Sequence, residues 1–302
     1  MDATMRVERC RAPLFRTSGP GGRDTAAVRP AARAGSAGRT GPDTGDVVEG
    51  TVMHKSPEPG LRLFVFHHSG GSRLTYRDWP AHFPADWEVR TPDAPGRGPR
   101  DERPALADAG ALIEYFLRTL EPRLTGPFAF FGHSLGGLVA YELTRRLVDS
   151  GRTAPVWLGI SARGTLQPGG DRPQRHLLSD AELRRELAAM GGTAPSALNH
   201  PELWELFAPT IRADLRLGET WCSEPLAAPL PVPLSVFGGT ADHVAPPHRL
   251  DGWAAASEHY FGLRLFDGGH FYFQGRLPDV ARRIREDVRR ALLLSSGLRT
   301  VR

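Results

Sequence analysis

One serine in this chain has the neighbours that a catalytic nucleophile needs. Ser134 lies in a Gly-His-Ser-Leu-Gly run at residues 132–136, after an apolar stretch and before residues 138–147, which have helical spacing. A serine at such a strand–turn–helix junction sits on a strained turn, and glycines two residues away on either side remove side chains that would clash. The sequence therefore predicts Ser134 as the nucleophile of an acyl-transfer reaction.

A late histidine is the predicted general base. A serine hydroxyl is barely nucleophilic until a base accepts its proton, and where the serine lies on such a turn the order along the chain is serine, acid, histidine. His270 follows a strand-like run and two glycines that free the loop to bring an imidazole over the serine. We predict His270 as the base, with His243 and His248 as the competing candidates.

The acid that orients this histidine is expected in a loop after a strand between residues 134 and 270. Asp242 follows the apolar run 234–238 and fits that position. A carboxylate there would hold the imidazole in the useful tautomer and stabilise the imidazolium. Asp251 lies further into the next segment, and Asp267, three residues before His270, is more typical of a turn.

Acyl transfer also requires donors for the oxyanion of the tetrahedral intermediate. These donors are commonly the amide after the nucleophile and one amide from the loop after an early strand. Leu135 supplies the first, and the Gly-containing loop at residues 67–71 is expected to supply the second. Within that loop we predict the Ser69 amide, with His68 as the alternative.

Short apolar runs alternate with segments of helical spacing from residue 61 onward. Such alternation predicts an α/β protein in which a mainly parallel sheet carries helices on both faces. The Gly-His-Ser-Leu-Gly turn between a predicted strand and helix is typical of the α/β-hydrolase fold. The runs expected to form strands are residues 61–67, 87–90, 127–132, 155–160, 234–238 and 263–266, and helical faces are expected at 106–120 and 280–293.

Two segments stand outside this alternation. Residues 1–55 are rich in Arg, Gly, Ala and Pro with almost no aromatic residues, which predicts a disordered tail before a domain at 56–302. Residues 171–222 offer helical stretches at 180–190 and 201–217 without a convincing strand, and we interpret them as an inserted helical lid.

Composition argues against several classes of protein. The net charge of +4 comes almost wholly from Arg and gives no sign of nucleic-acid binding, and no segment has the apolar length of a signal peptide or a spanning helix. Two cysteines are too few for a disulfide framework. No metal-ligand set or phosphate loop is present, so we expect no metal and no cofactor. A cytoplasmic protein is the expectation.

The same residues resemble a known family, the type II thioesterases that accompany modular polyketide and nonribosomal peptide synthases. The resemblance covers about 55–295 and rests on residues 66–72 with Tyr76 and Trp79, on Ala-Pro-Gly-Arg-Gly-Pro-Arg at 94–100, on 131–137, on 269–271, and on the lid-like segments 178–183 and 209–214. The chain has His-His-Ser-Gly-Gly at 67–71 where the family usually has Pro-His-Ala-Gly-Gly. A Ser69 amide can still donate to an oxyanion.

The resemblance implies hydrolysis of acyl groups from the phosphopantetheine arm of an acyl or peptidyl carrier protein, which clears stalled or misprimed chains. A monomer is the simplest expectation. Three alternatives stay open: a carboxylesterase or lipase acting on small esters, a terminal cyclising domain, and a non-catalytic scaffold, which the intact set of Ser134, Asp242 and His270 disfavours.

Overall fold

The computed structural model describes residues 58–97, 101, 103–165, 174–221 and 228–300, with side chains as far as residue 296. The tail predicted at residues 1–55 lies outside the described residues, as do residues 171–173 and 222 at the two ends of the predicted lid.

Six strands form one sheet in the described part of the chain, and every neighbouring pair is parallel. The order is β2-β1-β3-β4-β5-β6. The chain therefore turns back at the β1/β3 pair, and in open parallel sheets ligands bind beyond the carboxyl ends of the strands at such a switch point. The strands are β1 (Leu61–Phe66), β2 (Trp87–Arg90), β3 (Phe128–His133), β4 (Trp157–Ser161), β5 (Leu234–Gly239) and β6 (Tyr260–Phe266).

Alternating side chains of the strands enter two separate hydrophobic cores. In β1, Phe64 and Phe66 pack in one core, whereas Leu63 and Val65 pack in the other. Successive side chains of a strand point to opposite faces, and a strand buried on both faces reads as a continuous apolar run. This explains why the central strands stand out in the sequence as unbroken apolar segments.

Helices cover both faces of the sheet, as predicted. Two helices, α1 (Ala109–Leu120) and α2 (Leu135–Asp149), contribute to the core that holds Phe64, and α6 (Leu277–Thr300) contributes to the other. Helix α1 begins three residues later than its apolar periodicity suggests, because the Asp108 side chain accepts a hydrogen bond from the Ala111 amide at 2.8 Å and caps the helix there.

A third group of helices lies between β4 and β5. These are α3 (Asp180–Met190), α4 (Pro195–Asn199) and α5 (Pro201–Thr220), and residues 174–221 contain no strand. Ser179 and Glu182 form a capping box that starts α3. The group has a small core of its own, made by Leu183, Leu187, Leu198, Trp204, Ala208 and Ile211. We call α3–α5 the helical insert; its role as a lid stays a prediction.

Candidate active site

Ser134 occupies the turn between β3 and α2 in a strained backbone conformation. Its φ is 54° and its ψ is −113°, and Ser134 and Ala162 are the two non-glycine residues with positive φ in the described ranges. A positive φ is uncommon for a residue with a Cβ, and such strain concentrates at functional sites. The Ser134 amide donates to the Ser161 carbonyl at 2.8 Å, which ties the turn to the neighbouring strand β4.

The two glycines of the motif allow the backbones of β3, α2 and β1 to approach one another closely. A Cβ on Gly132 would overlap the backbone of Gly136, and a Cβ on Gly136 would overlap the carbonyl of Phe66 at the end of β1. The glycine spacing is therefore explained by two backbone contacts that hold α2 against β3 and β1.

Asp242 and His270 form a buried pair at the ends of neighbouring strands. His270 Nδ1 lies 2.9 Å from Asp242 Oδ2, and both side chains are almost fully buried. The other carboxylate oxygen, Oδ1, accepts from the amides of Val244 at 2.8 Å and Ala245 at 2.9 Å. With Nδ1 donating to the carboxylate, Nε2 is the nitrogen left to accept a proton.

The Asp242 carboxyl is held in its charged form. Burial by itself would raise its pKa, but hydrogen bonding and attraction to His270, together with the Ala245 and Val244 amides, bring the pKa below its usual value. The competing candidates lie elsewhere: His243, His248, Asp251 and Asp267 are all exposed.

One pocket brings the predicted nucleophile and base together. Ser134 and His270 line it along with His68 and Ser69. The helical insert contributes apolar side chains to the same pocket, and Phe271 adds another. The insert residues involved are Leu187, Met190 and Leu215.

The two predicted oxyanion donors are available in the structure. Among the described residues, neither the Ser69 nor the Leu135 amide donates a hydrogen bond to a protein acceptor. Leu135 opens α2, so its N–H has no intrahelical partner. The His68 carbonyl accepts from Gly71 N and from His67 Nδ1, both at 3.0 Å. The His68 carbonyl and the Ser69 N–H belong to one trans peptide, so they point in opposite directions. The Ser69 N–H therefore points away from Gly71 N and His67 Nδ1.

Comparison with known proteins places the chain in a family. The family model described as a thioesterase domain matches residues 61–288, which is most of the chain. This protein belongs to the thioesterase family. It is a hydrolase that acts on thioesters, and the predicted α/β-hydrolase fold and resemblance to type II thioesterases are confirmed.

Relatives of this thioesterase include two enzymes of named biosynthetic pathways. Thioesterase PikA5 of Streptomyces venezuelae is 32% identical over 246 residues, covering 81% of this chain and 85% of PikA5. The RedJ thioesterase from the prodiginine pathway of Streptomyces coelicolor is 30% identical with a TM-score of 0.70, covering 76% of this chain and 86% of RedJ. BorB, the type II thioesterase of the borrelidin biosynthetic cluster, is 31% identical with a TM-score of 0.70, covering 77% and 94% of the two chains.

Three histidines in or near the pocket of this thioesterase are buried. Of these, the sequence predicted a role for His68 alone, as the alternative oxyanion donor. Burial lowers the pKa of His67 to about 4, with the charge of Arg97 acting in the same direction. Burial likewise lowers the pKa of His68 to about 3 and that of His133 well below its usual value. All three are therefore neutral near pH 7, and they place no positive charge beside His270.

His133 is directed away from the pocket and into a buried hydrogen-bond chain. Its Nδ1 lies 2.8 Å from Ser161 Oγ, which is 2.6 Å from the Tyr272 hydroxyl. The His133 ring also packs against the His270 ring, with centroids 5.1 Å apart. The His133 ring thus packs against the predicted base; the signal in the sequence is its position at the end of an apolar strand, next to the nucleophile.

No group of His, Cys, Asp and Glu that could hold a metal ion exists among the described residues. In the same part of the chain, no helix combines the length and the apolar character that crossing a membrane requires.

Proposed function

We propose that this thioesterase is a type II editing enzyme that hydrolyses acyl groups from the phosphopantetheine arm of acyl or peptidyl carrier proteins of a polyketide or nonribosomal peptide synthase. RedJ and BorB come from named biosynthetic pathways, and both match this chain over most of their length. YbtT, a type II thioesterase from the yersiniabactin NRPS/PKS pathway, is 28% identical with a TM-score of 0.70. The observation that carries the proposal is the pocket that is lined by both Ser134 and His270 and by apolar side chains of the helical insert.

In the proposed acylation step, Ser134 Oγ attacks the thioester carbonyl and His270 Nε2 takes the serine proton. Asp242 holds the resulting imidazolium in place through Nδ1. The amides of Ser69 and Leu135 bind the oxyanion, each contributing about 3 kcal/mol to transition-state stabilisation. As the intermediate collapses, the carbon–sulfur bond breaks, and His270 returns the proton to the pantetheine sulfur. A thiol with a pKa of about 8.5 leaves more readily than an alkoxide.

In the proposed deacylation step, His270 activates a water molecule that attacks the acyl-Ser134 carbonyl. The same two amides hold the second oxyanion, and the proton on His270 returns to Ser134 Oγ as the free acid is released. No cofactor enters either step.

The helical insert is the proposed lid over the pocket. Leu187 and Met190 of α3 and Leu215 of α5 line the pocket, so movement of the insert would open or close the path of an acylated pantetheine arm. The insert packs around a small core of its own, whereas Leu217 of α5 packs in the main core, so α3 and α4 are the parts proposed to move.

The first test is acyl release from acetyl-, propionyl- and longer acyl-loaded carrier proteins. We expect the wild-type protein to release the free acids and Ser134→Ala to reduce release by about 10³-fold or more, since the nucleophile is lost. Ser150→Ala, a substitution of an exposed serine, is the matched control and is expected to retain wild-type release.

A p-nitrophenyl ester assayed in parallel separates the proposal from its main rival. Rapid ester turnover without carrier release would assign the protein to the small-ester hydrolases. Release of cyclic products instead of free acids would overturn the editing proposal in favour of a cyclising enzyme.

A further inference from the structure

Two sequence motifs have no part in the reaction steps above, and the structure joins them. Arg97 belongs to the Ala-Pro-Gly-Arg motif, and Asp214 ends the 209–214 segment of α5. Arg97 Nη2 donates to Asp214 Oδ1 across 117 positions of the chain, and the side chains are only 4% and 3% exposed. Neither residue lines the pocket, so this buried ion pair acts on the site through other groups.

Both members of the pair bind the loop that carries a predicted oxyanion donor. We call residues 69–71 the oxyanion loop. The Gly70 amide donates to Asp214 Oδ2 at 2.7 Å, and Arg97 Nη1 donates to the Gly71 carbonyl at 3.3 Å. Each oxygen of Asp214 is thereby committed, one to Arg97 and one to the loop.

Helix α5 also contacts this loop through Ile211, one turn before Asp214. A Cβ on Gly70 would lie 2.8 Å from Ile211 Cγ1, and Gly70 has a φ of 73°, which favours glycine. Ile211 and Asp214 are three residues apart, so they share a face of α5. That face contacts the loop through both an apolar side chain and a carboxylate.

The pair determines how the loop's peptide planes are oriented. Hydrogen bonds to charged groups are the strong ones in proteins, and a buried charge left without its partner is costly. With the Gly70 N–H bound to Asp214 and the Gly71 C=O bound to Arg97, rotating either peptide would break a hydrogen bond to a buried charged group. The Ser69 N–H belongs to the peptide before these, and the His68 carbonyl of that peptide accepts from the Gly71 amide at 3.0 Å, so that peptide is held by the same turn.

We propose that Arg97 and Asp214 are positioning residues that hold the oxyanion loop in its working geometry and make that geometry depend on the placement of α5. This inference rests on the proposed function, in which Ser69 binds the oxyanion. It predicts that α5 and the oxyanion loop act as one unit: displacing α5 removes an acceptor from Gly70 and the counter-ion from Arg97.

The test separates positioning from folding with three variants, each assayed for kcat, KM and the midpoint of urea unfolding with p-nitrophenyl acetate as substrate. Asp214→Asn removes the negative charge of the pair. Arg97→Lys keeps a positive charge opposite Asp214 but lacks the second guanidinium nitrogen that reaches Gly71. Arg97→Met combined with Asp214→Leu removes both charges. Since replacing both members of a buried pair by apolar residues is often tolerated, we expect the double variant to fold.

We expect the double variant to unfold near the wild-type urea midpoint while its kcat falls about 10- to 100-fold with little change in KM, because an oxyanion donor acts mainly in the transition state. Arg97→Lys should lose less kcat than Asp214→Asn. A folded double variant with wild-type kcat would overturn the proposal, as would losses confined to KM. If the double variant does not fold, wild-type kcat in both folded single variants would overturn it equally.

Asp180→Asn is the matched control, because Asp180 pairs with Arg212 of the same helix α5 at 2.6 Å but lies 60% exposed. We expect its kcat to stay within about twofold of wild type, as exposed pairs contribute little. Carrier-protein release is measured separately on the wild-type protein. A wild type that turns over the ester but not the carrier substrate would refute the proposed function and leave the positioning role intact.

Discussion

At the scale of single residues, the chemistry depends on groups whose charge state is set by burial and by their partners. Asp242 stays ionised because His270 and two backbone amides bind its oxygens, and His133 stays neutral because it is buried. In the proposed mechanism the Asp242 carboxylate takes up no proton; it selects the tautomer of His270 and stabilises the imidazolium.

Asp242→Asn tests this role directly. The amide can keep a hydrogen bond to His270 but favours the wrong tautomer and cannot stabilise the imidazolium, so we expect kcat to fall by about 10³- to 10⁴-fold. Steady-state kinetics with p-nitrophenyl acetate measures the effect. Asp267→Asn, which changes an exposed aspartate three residues before the histidine, is the control and should retain activity; equal losses in the two variants would contradict the assignment.

At the scale of elements, the geometry around Ser134 depends on the close approach of β1, β3 and α2, whose backbones leave no room for side chains between them. The Gly132 and Gly136 backbones meet each other and the end of β1 without room for a Cβ. The strain at Ser134 is maintained by these contacts and by the Ser161 carbonyl.

Gly132→Ala is expected to force α2 away from β3. A Cβ there overlaps backbone, which cannot rotate aside, so we expect a loss of at least about 1–3 kcal/mol in the free energy of unfolding, as for overpacking in a core. Activity should fall with it. Urea unfolding monitored by tryptophan fluorescence measures the change.

Gly151→Ala is the comparison for this prediction. Gly151 also has a positive φ, at 66°, but a Cβ there meets nothing within 4 Å. We expect a cost of about 1–2 kcal/mol from backbone strain alone, with activity retained. A Gly132→Ala protein as stable and active as this control would show that the close approach is not required.

At the scale of the whole molecule, buried neutral histidines make stability depend on pH. His67 has a pKa of about 4 when folded and about 6.5 when unfolded. The unfolded chain therefore binds more protons between these values, and the free energy of unfolding falls as the pH drops from 6.5 towards 4. His68 and His133 act in the same direction, and the lowered pKa of Asp242 removes further stability at still lower pH.

Urea unfolding at intervals between pH 8 and pH 4 checks this expectation. The slope should reach about 1.4 kcal/mol per pH unit for each buried histidine that titrates only in the unfolded chain. His67→Gln should reduce the slope by about one such step, whereas Ser150→Ala, which lies at an exposed position and changes no titratable group, should leave it unchanged. A free energy of unfolding that is constant over this range would contradict the burial argument.

The sequence alone determined the local structural features of this protein. The strand–turn–helix around Ser134 is encoded by adjacent residues, because glycine spacing and apolar runs constrain the backbone where they occur. The helices at Asp180–Met190 and Pro201–Thr220 begin at the residues that their patterns indicate. The family resemblance rests on the same local motifs.

Only the tertiary structure decided which distant residues meet. Ser134, Asp242 and His270 follow β3, β5 and β6. The parallel direction of these strands puts their ends at the same edge of the sheet, and the order of the strands sets how close the ends lie. The Arg97–Asp214 pair and the hydrogen-bond chain from His133 to Tyr272 join residues far apart in the chain. Such contacts arise from sheet order and helix packing, which no local pattern of residues specifies.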